Sequence, residues 1–203
     1  MKRTSLLSFA AALLFASSLS AQTVTFQGKV ENGEGACYYC PGFDWVIDIA
    51  DVPITSSVYN LDNFIGLYVD AVGQWNGSLQ TPIIDITSMS VVPQSFSIGG
   101  GAKVGGVMKF SVWAGAGDFG FVIGSVGTGF QPLGRSKSLY LLDLSSSHVV
   151  ASGVLDSTGL LKVKVPLNDP ALGGLQVFGQ GMVLPQGGGG FYFTNPDTKV
   201  IAP

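Results

Sequence analysis

Apolar and polar residues alternate with a period of two along most of the chain. That is the pattern of strands with one face in a core and the other in water. Val24, Phe26, Gly28 and Val30 share one face, and Thr25, Gln27, Lys29 and Glu31 share the other. Trp45, Ile47 and Ile49 alternate with Asp44, Val46 and Asp48, which predicts a strand running through Ile49 with Trp45 in the core. Leu67, Val69 and Ala71 alternate with Tyr68, Asp70 and Val72, and Met108, Phe110 and Val112 with Lys109 and Ser111. The cleanest case is Leu161, Val163, Val165 and Leu167 against Lys162 and Lys164.

Turn residues punctuate these runs: Asn32-Gly33, Asn76-Gly77, the glycines at 99–101, Gly173-Gly174 and the glycines at 187–190. About a dozen short strands result, and the fold class they predict is all-β. One stretch, residues 58–66, has helical spacing, with Val58, Leu61 and Ile65 on one face and Gly66 as its stop. A boundary is expected near residues 93–99, where a strand ends in Pro93 and glycines follow. It gives domains at 22–93 and 94–203, both of ordinary size.

The first 21 residues read as a secretory leader. Lys2 and Arg3 are positive, an apolar or small run follows to Leu19, and Ser18, Ser20 and Ala21 offer cleavage sites before Gln22. The run is short for a membrane span, and no later segment reads as a membrane helix. Removal of the leader takes two of the ten basic residues, leaving eight against thirteen acidic ones and a formal net charge of −5. An acidic chain without charge runs is a poor match to nucleic acid. The prolines at 41, 53, 82, 93, 132 and 166 interrupt the strands and argue against an outer-membrane barrel.

The order of the first half, with Tyr59-Asn60-Leu61-Asp62-Asn63-Phe64-Ile65-Gly66 leading into Leu67-Tyr68-Val69-Asp70-Ala71-Val72-Gly73 and then Pro82-Ile83-Ile84-Asp85-Ile86-Thr87, resembles the second half of a small bacterial OB-fold domain. The insertion around Cys37 departs from that pattern. The second half resembles a β-sandwich module found at the ends of secreted proteins of environmental bacteria. Ser138-Leu139-Tyr140-Leu141, residues 153–159 and the run from Val165 to Gln180 carry this likeness, above all Asn168-Asp169-Pro170-Ala171-Leu172-Gly173-Gly174. In that run a strand ends at Pro166, Asp169-Pro170 starts a turn, Leu172 plugs the core and a strand resumes at Leu175. Together these resemblances imply an OB-like barrel followed by an immunoglobulin-like β-sandwich, with no catalytic residues and no cofactor.

Candidate chemistry is sparse. Cys37-Tyr38-Tyr39-Cys40-Pro41 lacks the helix start and βαβ context of a thioredoxin-type pair, the histidine of a haem attachment site and the further ligands of a zinc site. A short disulfide pinning a loop is the bland reading, favoured by export, with a thiol-redox pair and a free thiol pair as alternatives. The only histidine, His148, has no nucleophile elbow to serve and reads as an exposed residue at a strand start. The two glutamates, Glu31 and Glu34, lie in one turn and make no glycosidase pair. On a strand, Asp44 and Asp48 would share one face and Asp51 the other, unlike a calcium loop. The glycine strings lack the Gly-Lys-Ser/Thr of a phosphate loop.

The aromatic residues of the OB-like loops remain. Tyr38 and Tyr39 precede Trp45, and Trp75 with Asn76 ends a strand. OB-folds bind oligosaccharides or oligonucleotides with the loops between strands 1–2 and 4–5, so these four residues are the ligand-binding candidates, with packing and loop cover as the bland reading favoured for the rings. The function expected is a non-catalytic binding or structural role at the cell surface or in the periplasm, toward a glycan or a cell-surface protein. A carbohydrate-binding module and a thiol-redox protein are the other readings.

Overall fold

The computed structural model describes residues 22–33, 44–78, 82–133 and 138–203. The expected leader at 1–21 and the residues Glu34, Cys37, Tyr38, Tyr39 and Cys40 lie outside them. The described residues form fourteen strands: β1 (Gln22–Asn32), β2 (Trp45–Ile47), β3 (Val52–Thr55), β4 (Tyr68–Trp75), β5 (Ile84–Val91), β6 (Phe96–Gly101), β7 (Val107–Trp113), β8 (Phe119–Ser125), β9 (Thr128–Leu133), β10 (Ser138–Leu142), β11 (His148–Val154), β12 (Leu160–Pro166), β13 (Gln176–Leu184) and β14 (Tyr192–Val200). Their helical pieces are single 3-10 turns at Leu61–Phe64 and Pro170–Leu172. The protein is therefore all-β, and no helix among the described residues is long and apolar enough to cross a membrane.

The first five strands close into a barrel. β1 is antiparallel to β2 and β4, β2 to β3, and β4 to β5, and a parallel pairing of β3 with β5 completes the ring. The alternation of β1 sends Val24, Phe26 and Val30 into its core, where they meet Ile47, Ile54, Val69, Ala71 and Ile86. Two glycines let strands approach. A Cβ on Gly28 would stand 2.6 Å from Cγ2 of Ile47, and one on Gly73 would meet the Ile84 side chain and stand 2.8 Å from the Asp85 carbonyl oxygen. The 3-10 turn between β3 and β4 packs against the barrel core. The Asn60 side chain caps it by accepting from Asp62 N–H, Leu61 is buried, and Tyr59 and Phe64 pack against the same core.

Seven of the remaining strands make two sheets, β6-β7-β12 and β11-β8-β13-β14. They share a core of Phe96, Ile98, Met108, Phe110 and Val112 from one sheet and Val122, Val183 and Ile201 from the other side. Gly179 lies under the Phe96 ring, where a Cβ would come within 2.8 Å of Cζ. Along β12, Leu161, Val163 and Val165 pack against this core while Lys162 and Lys164 are exposed, as the alternation predicts.

The β9–β10 hairpin belongs to the second half of the chain but lies in the barrel's sheet. β10 runs parallel to β1, with Ser138 opposite Thr25. Phe130, Leu139 and Leu141 enter the barrel core, while Tyr140 and Leu142 pack with Ile123 and Phe193 on the other side. Buried Gln180 ties the hairpin to β13. Its Oε1 accepts from Leu141 N–H at 2.9 Å, and its Nε2 donates to the carbonyls of Leu139 at 3.3 Å and Thr194 at 2.9 Å. Residues 93–94 fall in the linker between β5 and β6, and the hairpin crosses back over that boundary.

Three local expectations differ from the structure. The strand expected through Ile49 ends at Ile47, because Asp48 turns the chain. Its carboxylate accepts from Ile49 N–H at 2.7 Å, and Ile49 takes a φ of 75°. Gly99, Gly100 and Gly101 are paired in β6 with β7, and the turn follows them. Of the three apolar residues expected on one helical face, only Leu61 is buried, since a 3-10 turn of four residues presents no i+4 stripe.

Candidate functional site

Trp75 ends β4 with its ring inside the barrel, 6 % exposed. It packs on Phe130 at a centroid distance of 5.2 Å, and its indole N–H donates to the Ser78 carbonyl at 2.9 Å. Both its apolar surface and its donor are used within the protein. Asn76 is exposed, and its Oδ1 accepts from the backbone N–H groups of Ser78 and Ile83, which fastens the turn after β4. Trp45 is half-buried against the barrel core, with its indole donating to Asp62 at 2.9 Å.

His148 is exposed at the start of β11, beside an apolar hollow of about 270 Å³ that includes Tyr140, Leu144 and Met182. Asp48 and Asp51 both sit in the β2–β3 turn, not on two faces of a strand. Burial first, and then the neighbouring Asp48, hold the Asp51 carboxyl above the usual range. Among the described residues no three His, Cys, Asp or Glu side chains converge to hold a metal.

A hollow of about 490 Å³ lies on the seam between the barrel and the sandwich. That is within the roughly 300–1,000 Å³ typical of ligand sites. Its floor follows from strand alternation. The phase that buries Val24 and Phe26 turns Thr25 and Gln27 outward on β1, and the phase that buries Val69 and Ala71 turns Asp70 and Val72 outward on β4. The antiparallel register sets Gln27 against Asp70 and Thr25 against Val72. Ser138 of β10 and Tyr192 of β14 form the walls. A second hollow of about 240 Å³ shares Gln27 and Tyr192 with the first and is lined further by Gln94, Ser95 and Trp113. Trp113, at the end of β7, is 38 % exposed.

A chain of hydrogen bonds fixes this seam. Asn195, buried in β14, accepts at Oδ1 from the N–H groups of Ser95 and Phe96 and donates from Nδ2 to the carbonyls of Phe96 and Pro196. Ser95 Oγ then donates to Gln27 Oε1 at 2.6 Å. With its amide oxygen engaged, Gln27 has its amide nitrogen to offer to a ligand. Asp70 is exposed, and partial desolvation raises its carboxyl above the usual range. Burial, and then the carboxylates of Asp118 and Asp70, push the Tyr192 phenol up, so it stays protonated at neutral pH. The seam thus presents a carboxylate acceptor in the first hollow, an indole in the second, and an amide and a phenol to both. The alternation foretells that Gln27, Asp70 and Trp113 face outward. Nothing in the sequence announces that they meet.

No protein-family model, curated protein or solved structure matches the chain.

Proposed function

We propose that the protein is an exported, non-catalytic binding protein that holds a glycan along the seam between its barrel and its sandwich. The observation that carries this reading is the pair of hollows meeting at Gln27 and Tyr192, with half-exposed aromatic rings beside amide and carboxylate side chains. Sugar rings offer apolar C–H faces to aromatic planes and hydroxyls to planar polar groups, so these residue types suit them. The site is stiff, because Asn195 and Ser95 brace Gln27 and the β9–β10 hairpin locks barrel to sandwich. A preorganised site limits the entropy lost on binding.

Two finer fold readings accompany the proposal. The ring order β1-β2-β3-β5-β4, with a short helical turn between β3 and β4, supports an OB-like barrel. Leaving the inserted hairpin aside, the other seven strands divide as first, second and fifth against fourth, third, sixth and seventh. This supports an immunoglobulin-like sandwich whose fourth strand lies on the opposite sheet from the constant-domain arrangement. The proposed ligand hollow lies on the β1–β4 face, not on the β2–β3 face that OB-folds generally use. Export rests on the leader pattern at residues 1–21, and the cell surface or periplasm is the place proposed for the work.

The test is retention on a panel of insoluble polysaccharides. Wild type is expected to be retained on at least one, and Trp113→Ala and Gln27→Ala each to weaken retention several-fold. Retention on none, or full retention of both variants, overturns the proposal.

A further inference from the structure

We infer that the glycan held at the seam carries free amino groups, and that the Asp70 carboxylate receives one of its ammonium groups. The inference rests on the seam being a glycan site, and it specifies the class of sugar.

Asp70 is the carboxylate on the floor of the larger hollow, directly across the strand pair from Gln27. None of the described residues lining either hollow is Lys, Arg or His. Among the described residues no ion pair reaches Asp70. A carboxylate in a hollow with no cation among its described lining residues is a place for a ligand that brings one. Nearby, Asp118 acts on Tyr192 with the same sign. Its carboxylate is already engaged by Gly115 N–H at 3.0 Å and Gln186 N–H at 2.9 Å, so it adds field without competing for the ligand. The whole chain is acidic, at −3 with the leader and −5 without it, which draws polycations and repels polyanions.

The remaining lining favours a sugar over a basic peptide as the bearer of that charge. Gln27 and Gln94 bring side-chain amides to the two hollows, matched to hydroxyls spread along a chain. The rings of Trp113 and Tyr192 can take a C–H face or a second ammonium by cation–π attraction. Uronic acid and sulfated chains would place negative charge against Asp70 and are disfavoured.

The probes are glucosamine oligomers, the same oligomers fully N-acetylated, and a lysine oligomer of equal charge, titrated calorimetrically into wild type and Asp70→Asn. Retained folding of the variant is checked by its near-ultraviolet circular dichroism. Wild type is expected to bind the glucosamine form on the order of tenfold more tightly than the N-acetylated form, with affinity falling as salt rises. Asp70→Asn is expected to erase that preference. Equal or tighter binding of the N-acetylated form, or a preference that survives in Asp70→Asn, overturns the inference and leaves the glycan site standing. Binding of the lysine oligomer as tightly as glucosamine overturns it in favour of a basic peptide. Binding of neither sugar, with retention on another polysaccharide, also overturns it. Absence of all glycan binding removes the glycan site and the inference together.

Discussion

Gln27 on β1 and Asp70 on β4 stand directly opposite each other on the outer face of the barrel, where the sandwich's Tyr192 meets them. Burial keeps the Asp70 carboxyl above its ordinary value of 3.8 in the folded protein. The folded state therefore holds this proton to higher pH than the unfolded state does. The group's contribution to stability is full below that ordinary value and declines as pH rises through the raised one. Asp70→Asn removes the decline. Thermal melting from about pH 3 to pH 7 should show the variant matching wild type at the acid end and melting higher at neutral pH. A variant that melts lower at neutral pH would contradict the raised Asp70 carboxyl.

Phe130 belongs to the second half of the chain but packs on Trp75 in the barrel core. Removing a buried phenylalanine side chain costs about 3–5 kcal/mol. Phe130→Ala should lower stability by that amount in a single unfolding transition, followed by tryptophan fluorescence and by circular dichroism. The same packing predicts that a fragment of residues 22–93, deprived of Phe130, Leu139 and Leu141, gives no cooperative melt. Two separate transitions in the full chain would contradict the shared core.

Gly73 sits where β4 shifts register against β5. An alanine methyl there has no room beside Ile84 and the Asp85 carbonyl. Gly73→Ala should destabilise the protein by about 1–3 kcal/mol, the usual cost of overpacking. Gly99, with nothing within 4 Å of its missing Cβ, is the control, and Gly99→Ala should be near neutral. Urea midpoints compare the two.

Gln180 is fully buried and serves three backbone groups. Gln180→Leu keeps the volume but strands Leu141 N–H and two carbonyls, at about 1–3 kcal/mol for each group left unpaired. Amide hydrogen exchange at Leu141 should rise in this variant before global unfolding. Unchanged protection at Leu141 would contradict the tie between hairpin and sheet.

Much of the fold was legible because alternation is a local property. Val24, Phe26 and Val30 on β1, and Leu161, Val163 and Val165 on β12, face the cores that their phase predicts. The turn expected at Asp169-Pro170 is present as the 3-10 turn Pro170–Leu172, with Ala171 N–H donating to the Asp169 carboxylate at 2.9 Å. What was not legible depends on pairing across the chain. The parallel contact of Thr25 with Ser138 spans more than a hundred residues, and no local pattern encodes it. Trp75 shows the consequence. Its position at a strand end marked it as a candidate ligand platform, but Phe130 from the distant hairpin covers it. Tyr192 and Trp113 gave no local sign of sharing a site with Gln27, because linker and sheet packing bring them together.

The placement of the ligand is the central claim, and a footprint in solution tests it most directly. Isotope-labelled protein would be titrated with a soluble fragment of whichever polysaccharide retains it, following the side-chain amide of Gln27 and the three indole N–H signals. The seam site predicts shifts at Gln27 and Trp113, with Trp45 and the backbone of β2 and β3 unmoved. Shifts confined to Trp45 and the β2–β3 face, with Gln27 and Trp113 unmoved, would contradict it.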